Sequence, residues 1–259
     1  MPLLGFAALL LPSHTCGQAA AAPQSQASKV TYAIGRIQRH EHLGGEDALY
    51  YVEFLADARA VGALPILEQY YARTPSAAIK AGVASALVSL GDKNEEYWVY
   101  LIGLATPVAE SGVPNPFVSP LAATKAPTDI MSPEFKVWAS SHKLTTTAAY
   151  LRFLMDLKDR LTPIARSGDP RGVPLLRKAL LSSNTLIAGI GAMGLAQAQD
   201  KASIPLIVDA CKRNSCGDAL LFFDDPTAQS VFASYNPGVD IPKMRKFRGS
   251  PFGQLAKPQ

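Results

Sequence analysis

With 259 residues, 48% of them hydrophobic and 18% charged, the chain has ample apolar material for a core and room for one solenoid or two small domains. Its formal net charge is +4, and the segment from Asn236 onward carries all of that excess, with Lys243, Arg245, Lys246, Arg248 and Lys257 against Asp240. The remainder is near neutral, which argues against the basic face expected of a nucleic-acid reader.

The chain opens on a short apolar run, Leu3–Leu11, followed by small residues that end at Ala19–Pro23. This pattern predicts a secretory signal peptide over residues 1–22; the run is too short to span a bilayer, although no lysine or arginine precedes it. Ser-His-Thr ahead of Cys16 makes a poor lipobox, so cleavage after the alanines is expected rather than a lipid anchor. The implied location is periplasmic or secreted, in a bacterium.

Residues 23–46 read as an N-terminal linker. Gln24–Lys29 is polar, and the alternation of Val30, Tyr32 and Ile34 would give a strand without a partner, leaving helix or loop. His40 and His42 point to different faces of a helix, so a solvated loop is expected there rather than a metal site. Residues 47–105 form a first helical block. Leu49, Val52 and Leu55 stripe one helix, Leu64, Leu67 and Tyr71 a second, and Ile79, Val83, Leu87 and Leu90 a third. Ser76 is placed to cap the third helix and Gly91 to stop it. Tyr97, Trp98 and Tyr100 either seal the end of this stack or anchor a partner in a groove. Residues 106–143 form a proline-rich insertion, without helical period over 106–132, which is either a long ordered loop or a linker.

A second helical block spans 144–235. It restarts with Tyr150, Leu154, Leu157, Leu161 and Ile164, where Thr162–Pro163 leaves open one kinked helix or two short ones. Then GDPRGVPLLRKAL at 168–180 is answered by QDKASIPLIVDAC at 199–211, with Pro174 and Pro205 in register 31 residues apart, a spacing typical of repeat architectures. An earlier copy at Ala58–Asp92 has Pro65 at the matching place. One helical pair cannot bury its apolar stripe alone, so copies are expected to stack into a solenoid.

The stretches D-P-R-G-V-P-L-L (169–176) and A-L-V-S-L-G-D (86–92) resemble HEAT-like repeats, of the short kind also found in phycobilisome lyases. The resemblance implies an all-α α-solenoid of stacked helical hairpins whose task is to present a binding surface, and it carries over no catalytic residue. The last unit departs from the pattern, reading A-Q-A-Q-D (196–200) where a glycine normally precedes the aspartate.

Cys211 and Cys216 are an even pair at a helix end, and export would let them close a disulfide. Two more short helices are expected over Gly217–Phe223 and Thr227–Tyr235, then a basic irregular tail at 236–259. Gly189, Gly191 and Gly194 spell a literal GxGxxG, the turn that admits a pyrophosphate. Asp209 follows 15 residues after Gly194 rather than about 20, and the repeat register already accounts for the stretch. No GxSxG or HExxH occurs, and His14, His40, His42 and His142 are scattered. The expectation is an exported, non-catalytic protein-binding scaffold with no cofactor, metal, nucleic acid or membrane span. The alternative is an enzyme or small-ligand carrier with a pocket between residues 97–104 and the 106–132 insertion.

Overall fold

The computed structural model describes residues 25–39, 45–116, 131–212, 216 and 218–253. The expected signal peptide with Cys16, the pair His40 and His42, most of the proline-rich insertion and the last six residues lie outside them.

The chain is all-helical, with twelve α-helices and no strand among the described residues. In order they are α1 Gln26–Arg39, α2 Gly45–Asp57, α3 Leu64–Arg73, α4 Ala77–Ser89, α5 Glu95–Ala109 and α6 Pro133–Ser141. Then follow α7 Thr147–Ser167, α8 Val173–Leu180, α9 Thr185–Gln197, α10 Ile204–Cys211, α11 Pro226–Tyr235 and α12 Ile241–Arg248. The helix α2 packs on α4, α4 on α7, and α7 on α9, while α3, α5 and α8 lie beside them as a second set. This packing is compatible with a solenoid. Nearly every helix of the two sets sends a leucine or isoleucine into one continuous core: Leu55, Leu67, Leu87, Leu101, Leu161, Leu176 and Leu195 are all fully buried. α4 and α9 are apolar on every side, as helices flanked on several faces must be.

The helix starts follow local chemistry. The Ser76 hydroxyl accepts from the Ile79 N–H at 3.4 Å, Asn94 from Glu96 at 3.0 Å, and the buried Asn184 from Leu186 and Ile187 at 3.0 and 3.3 Å. The ends repeat one device. Arg59, Gly91 and Gln199 each take a positive φ just past α2, α4 and α9. The next N–H then donates back to a leucine carbonyl at 3.0 Å: Ala60 to Leu55, Asp92 to Leu87, Asp200 to Leu195. Gly168 also takes a positive φ after α7, but there the next N–H, that of Asp169, donates to the Ser167 hydroxyl at 3.3 Å. From Arg59, Gly168 and Gln199 the path is identical: a 3₁₀ turn (61–63, 170–172, 201–203), then a helix whose second residue is Pro65, Pro174 or Pro205. Proline fits there because its missing N–H is one that a first helical turn leaves unbonded.

Gln199 resolves the departure seen in A-Q-A-Q-D. It adopts the left-handed conformation that glycine takes at Gly91, and its side chain offsets the strain. Its Nε2 donates to the Ala196 and Phe222 carbonyls at 2.8 Å each, and its Oε1 accepts from the Asp224 N–H at 3.0 Å.

Three boundaries differ from the sequence reading, and a choice left open around Pro163 is made. Residues 26–39 of the expected linker form α1, which lays Ala33 and Ile37 against α2 and leaves a polar outer face. The expected insertion starts late, because α5 runs through Pro107 to Ala109, and it contains α6. Residues 144–167 hold a single helix, α7, with Pro163 inside it. The tail is not irregular throughout: it folds into α12, which two ion pairs fasten down, Arg245 to Asp224 at 2.6 Å and Arg248 to Asp218.

Candidate functional site

The aromatic residues singled out from the sequence are held by contacts within the fold. Tyr97 is buried and meets the ring of Tyr71 edge-on, with centroids 4.7 Å apart. Tyr100 is half-buried and its hydroxyl donates to the Ala77 carbonyl at 3.3 Å. The Lys80 ammonium lies 4.5 Å from the Tyr71 ring centre and 5.6 Å from that of Tyr100. Trp98 is covered by the Arg171 guanidinium at 4.5 Å, and Arg171 is itself gripped by Asp169 and Glu95. Only Val99 of this run stands well out in solvent. The aromatics knit α3, α4, α5 and α8 together. The sulfurs of Cys211 and Cys216 are 2.16 Å apart, a disulfide pair at the end of α10.

The GxGxxG run lies wholly within α9, with no turn in it. A Cβ on Gly191 would stand 2.7 Å from the Leu180 amide nitrogen and 2.8 Å from the Leu176 carbonyl oxygen, and one on Gly194 would stand 2.7 Å from Ala165 Cβ. These two glycines let α8 and α7 close on α9, whereas nothing lies within 4 Å of a Cβ on Gly189. Gly191→Ala should therefore destabilise the protein by about 1–3 kcal/mol through overpacking. Gly189→Ala should stabilise it by roughly 0.5–1 kcal/mol through helix propensity. Urea melts of the two variants check the contrast; equal effects would remove the packing argument.

The principal cavity is a cleft of about 720 Å³ that crosses α2, α4 and α7. α5 does not line it, so it is not the pocket expected beside the aromatic helix. Its floor is the face of α4 that carries Ala78, Gly82, Ser85 and Ser89, which fall at helical steps of four, three and four. Leu49 of α2 closes over Gly82, where any Cβ would collide with its Cδ1. Met155 of α7 forms the opposite apolar wall and is half exposed.

At one end the cleft is charged. The Arg166 guanidinium on α7 reaches two carboxylates one turn apart on α2: Nη1 to Glu53 Oε2 and Nη2 to Asp57 Oδ2, each 3.1 Å. Burial pushes both carboxyls above the ordinary carboxylate range, and Arg166 pulls each part of the way back. Arg166 Nη1 also donates to the Phe252 carbonyl at 3.3 Å, so the segment after α12 closes this end. Thr162 Oγ1 and Ser250 Oγ, on residues that line the cleft, are buried without a hydrogen-bond partner. Chemically the site offers a fixed guanidinium donor, two hydroxyls and, at the exposed Ala78, a small side chain on which a main chain can lie close.

Sequence reasoning missed Arg166, Glu53 and Asp57. The one available signal was a pair of like charges four residues apart in the largely apolar stretch 48–57 of α2, an arrangement that wants a counter-charge. Among the described residues no cluster of three or more His, Cys, Asp or Glu side chains is placed to hold a metal, and no helix is long and apolar enough to cross a membrane. Compared with protein-family models, with curated proteins and with solved structures, the chain matches none.

Proposed function

We propose that this chain is an exported α-solenoid of HEAT-like helical pairs that serves in the bacterial envelope as a non-catalytic protein-binding scaffold. The cleft over α2, α4 and α7 is its docking groove. The observation that carries the reading is the cleft itself, where the exposed Ala78 and the half-exposed Met155 stand open beside the fixed Arg166 charge. Recognition grooves for peptide segments combine these elements: close approach for the main chain, apolar contact for side chains, and one polar group that sets direction. The Leu3–Leu11 run and the Cys211–Cys216 pair support export.

A photo-crosslinking residue in place of Met155, half exposed on the cleft wall, should give one discrete protein adduct in intact cells, and the same residue at the outward Val99 should give none. No adduct at Met155 would defeat the scaffold reading. The cleft volume also lies within the range of small-molecule sites, which keeps the ligand-carrier reading as the second one. Native mass spectrometry separates the two, since a stoichiometric small ligand carried through purification would favour the carrier.

A further inference from the structure

The chain already lays a piece of itself across the charged end of the cleft. After α12 the backbone turns at Gly249, whose φ is 73°, and folds tightly: the Ser250 N–H donates to the Arg248 carbonyl at 2.8 Å and the Gly253 N–H to the Ser250 carbonyl at 2.9 Å. Pro251 is buried, Phe252 packs half-buried on the core, and the Phe252 carbonyl accepts from Arg166, which lies 86 residues earlier. Ser250 faces the cleft.

We infer that the cleft recognises a short, proline-bearing segment of a partner protein through its main chain, and that residues 249–252 hold that place until the partner displaces them. The inference rests on the scaffold reading and names the class of its partner. Three features carry it. Arg166 faces two carboxylates, Glu53 and Asp57, so what it offers is a directed N–H for a carbonyl oxygen rather than a free charge for an anion. The buried residue of the tail is a proline, which brings no N–H to be left unbonded and has little conformational freedom to lose on binding. Thr162 Oγ1, buried and without a partner, is a further polar group for a bound main chain. Beyond the tail, the floor of Ala78, Gly82 and Ser85 continues the cleft.

A tethered segment competes at an effective concentration in the millimolar range for a short linker. Against an intrinsic Kd of roughly 100 μM, that weakens binding in trans about tenfold. The test uses the full-length chain, two full-length variants that release the tail, and a fluorescein-labelled peptide of residues 248–254. Gly253→Ala breaks the turn, since its Cβ would run into the Arg248 carbonyl oxygen and stand 2.6 Å from the Ser250 nitrogen. Pro251→Asp expels the tail by a separate route, placing a carboxylate where a buried proline sits.

By fluorescence polarisation both variants should bind the peptide about tenfold more tightly than the intact chain. Adding Arg166→Lys to Gly253→Ala keeps the charge but loses the fork, and should cost about fivefold. Equal binding to all three chains would overturn the inference, as would no saturable binding to either variant while its helical circular dichroism is unchanged. A released chain that dimerises without taking up peptide would assign the cleft to the tail of a second copy and also overturn it. An adduct at Met155 together with no peptide binding would sink this inference and spare the scaffold; the reverse pattern would do the opposite.

Discussion

Leu195→Ala should lower the unfolding free energy by about 2–5 kcal/mol, and Leu87→Ala should do the same. Both side chains are fully buried, and they occupy the same place at the ends of α9 and α4: each supplies the carbonyl that accepts the returning Asp200 or Asp92 N–H. The loss has two parts, the transfer of three carbon atoms' worth of apolar surface and the void that rigid neighbours leave unfilled. α9 packs on both α7 and α8, and α4 on α2, α3, α5 and α7, so neither void can be closed by the drift of one helix. Truncation of the exposed Leu181 should change stability by no more than about 0.5 kcal/mol. Urea or thermal melts of the three variants supply the comparison; equal values would mean that the stripe is not the core.

Arg166→Met should cost about 3 kcal/mol at pH 7, because it removes the shared counter-charge of two carboxylates that are largely out of water. The value sits at the low end for a broken buried pair because Glu53 keeps 30% of its side chain exposed. The sign of the pH dependence follows from burial. The folded chain already binds protons at Glu53 and Asp57 more tightly than the unfolded chain does, and without Arg166 this difference grows. A raised carboxyl contributes stability below its unfolded pKa and loses it as pH rises through the folded value. The deficit of Arg166→Met should therefore be smallest near pH 4 and widen toward pH 7. Glu53→Gln should show the complementary trend, gaining on the parent chain over the same interval. Chemical denaturation at pH 4, 5.5 and 7 measures both. A flat difference would mean that the carboxyls are ordinary in the folded state.

What the sequence made legible was the part of the fold written in short-range pattern. The stripe Ile79, Val83, Leu87 with Ser76 ahead of it and Gly91 behind it defines α4 almost to the residue, and the register of Pro65, Pro174 and Pro205 places three helix starts. α1 was legible and was missed: Val30, Ala33, Ile34 and Ile37 fall on one helical face and all pack on the core, while the alternation of Val30, Tyr32 and Ile34 drew attention to a strand instead. α12 has no fully buried residue: Ile241 and Met244 reach the core only in part, and no local rule pairs its arginines with acids twenty-one or thirty positions away. Pro107 reads as a helix stop, yet α5 continues past it, since a proline removes one bond that packing on α4 and α7 can outweigh. The cleft was least visible. Arg166 and Asp57 are 109 residues apart, and only the stacking of α2, α4 and α7 brings them together.

The junction headed by Arg59, Gly168 and Gln199 tolerates three unlike side chains at one backbone shape, and its last two copies begin 31 residues apart. An in-frame duplication of such a segment would enter the chain with matching ends, needing no new loop to be invented. A change of length made at one of these junctions would thus meet the same backbone shape on both sides, and the helices flanking it could keep their starts and stops.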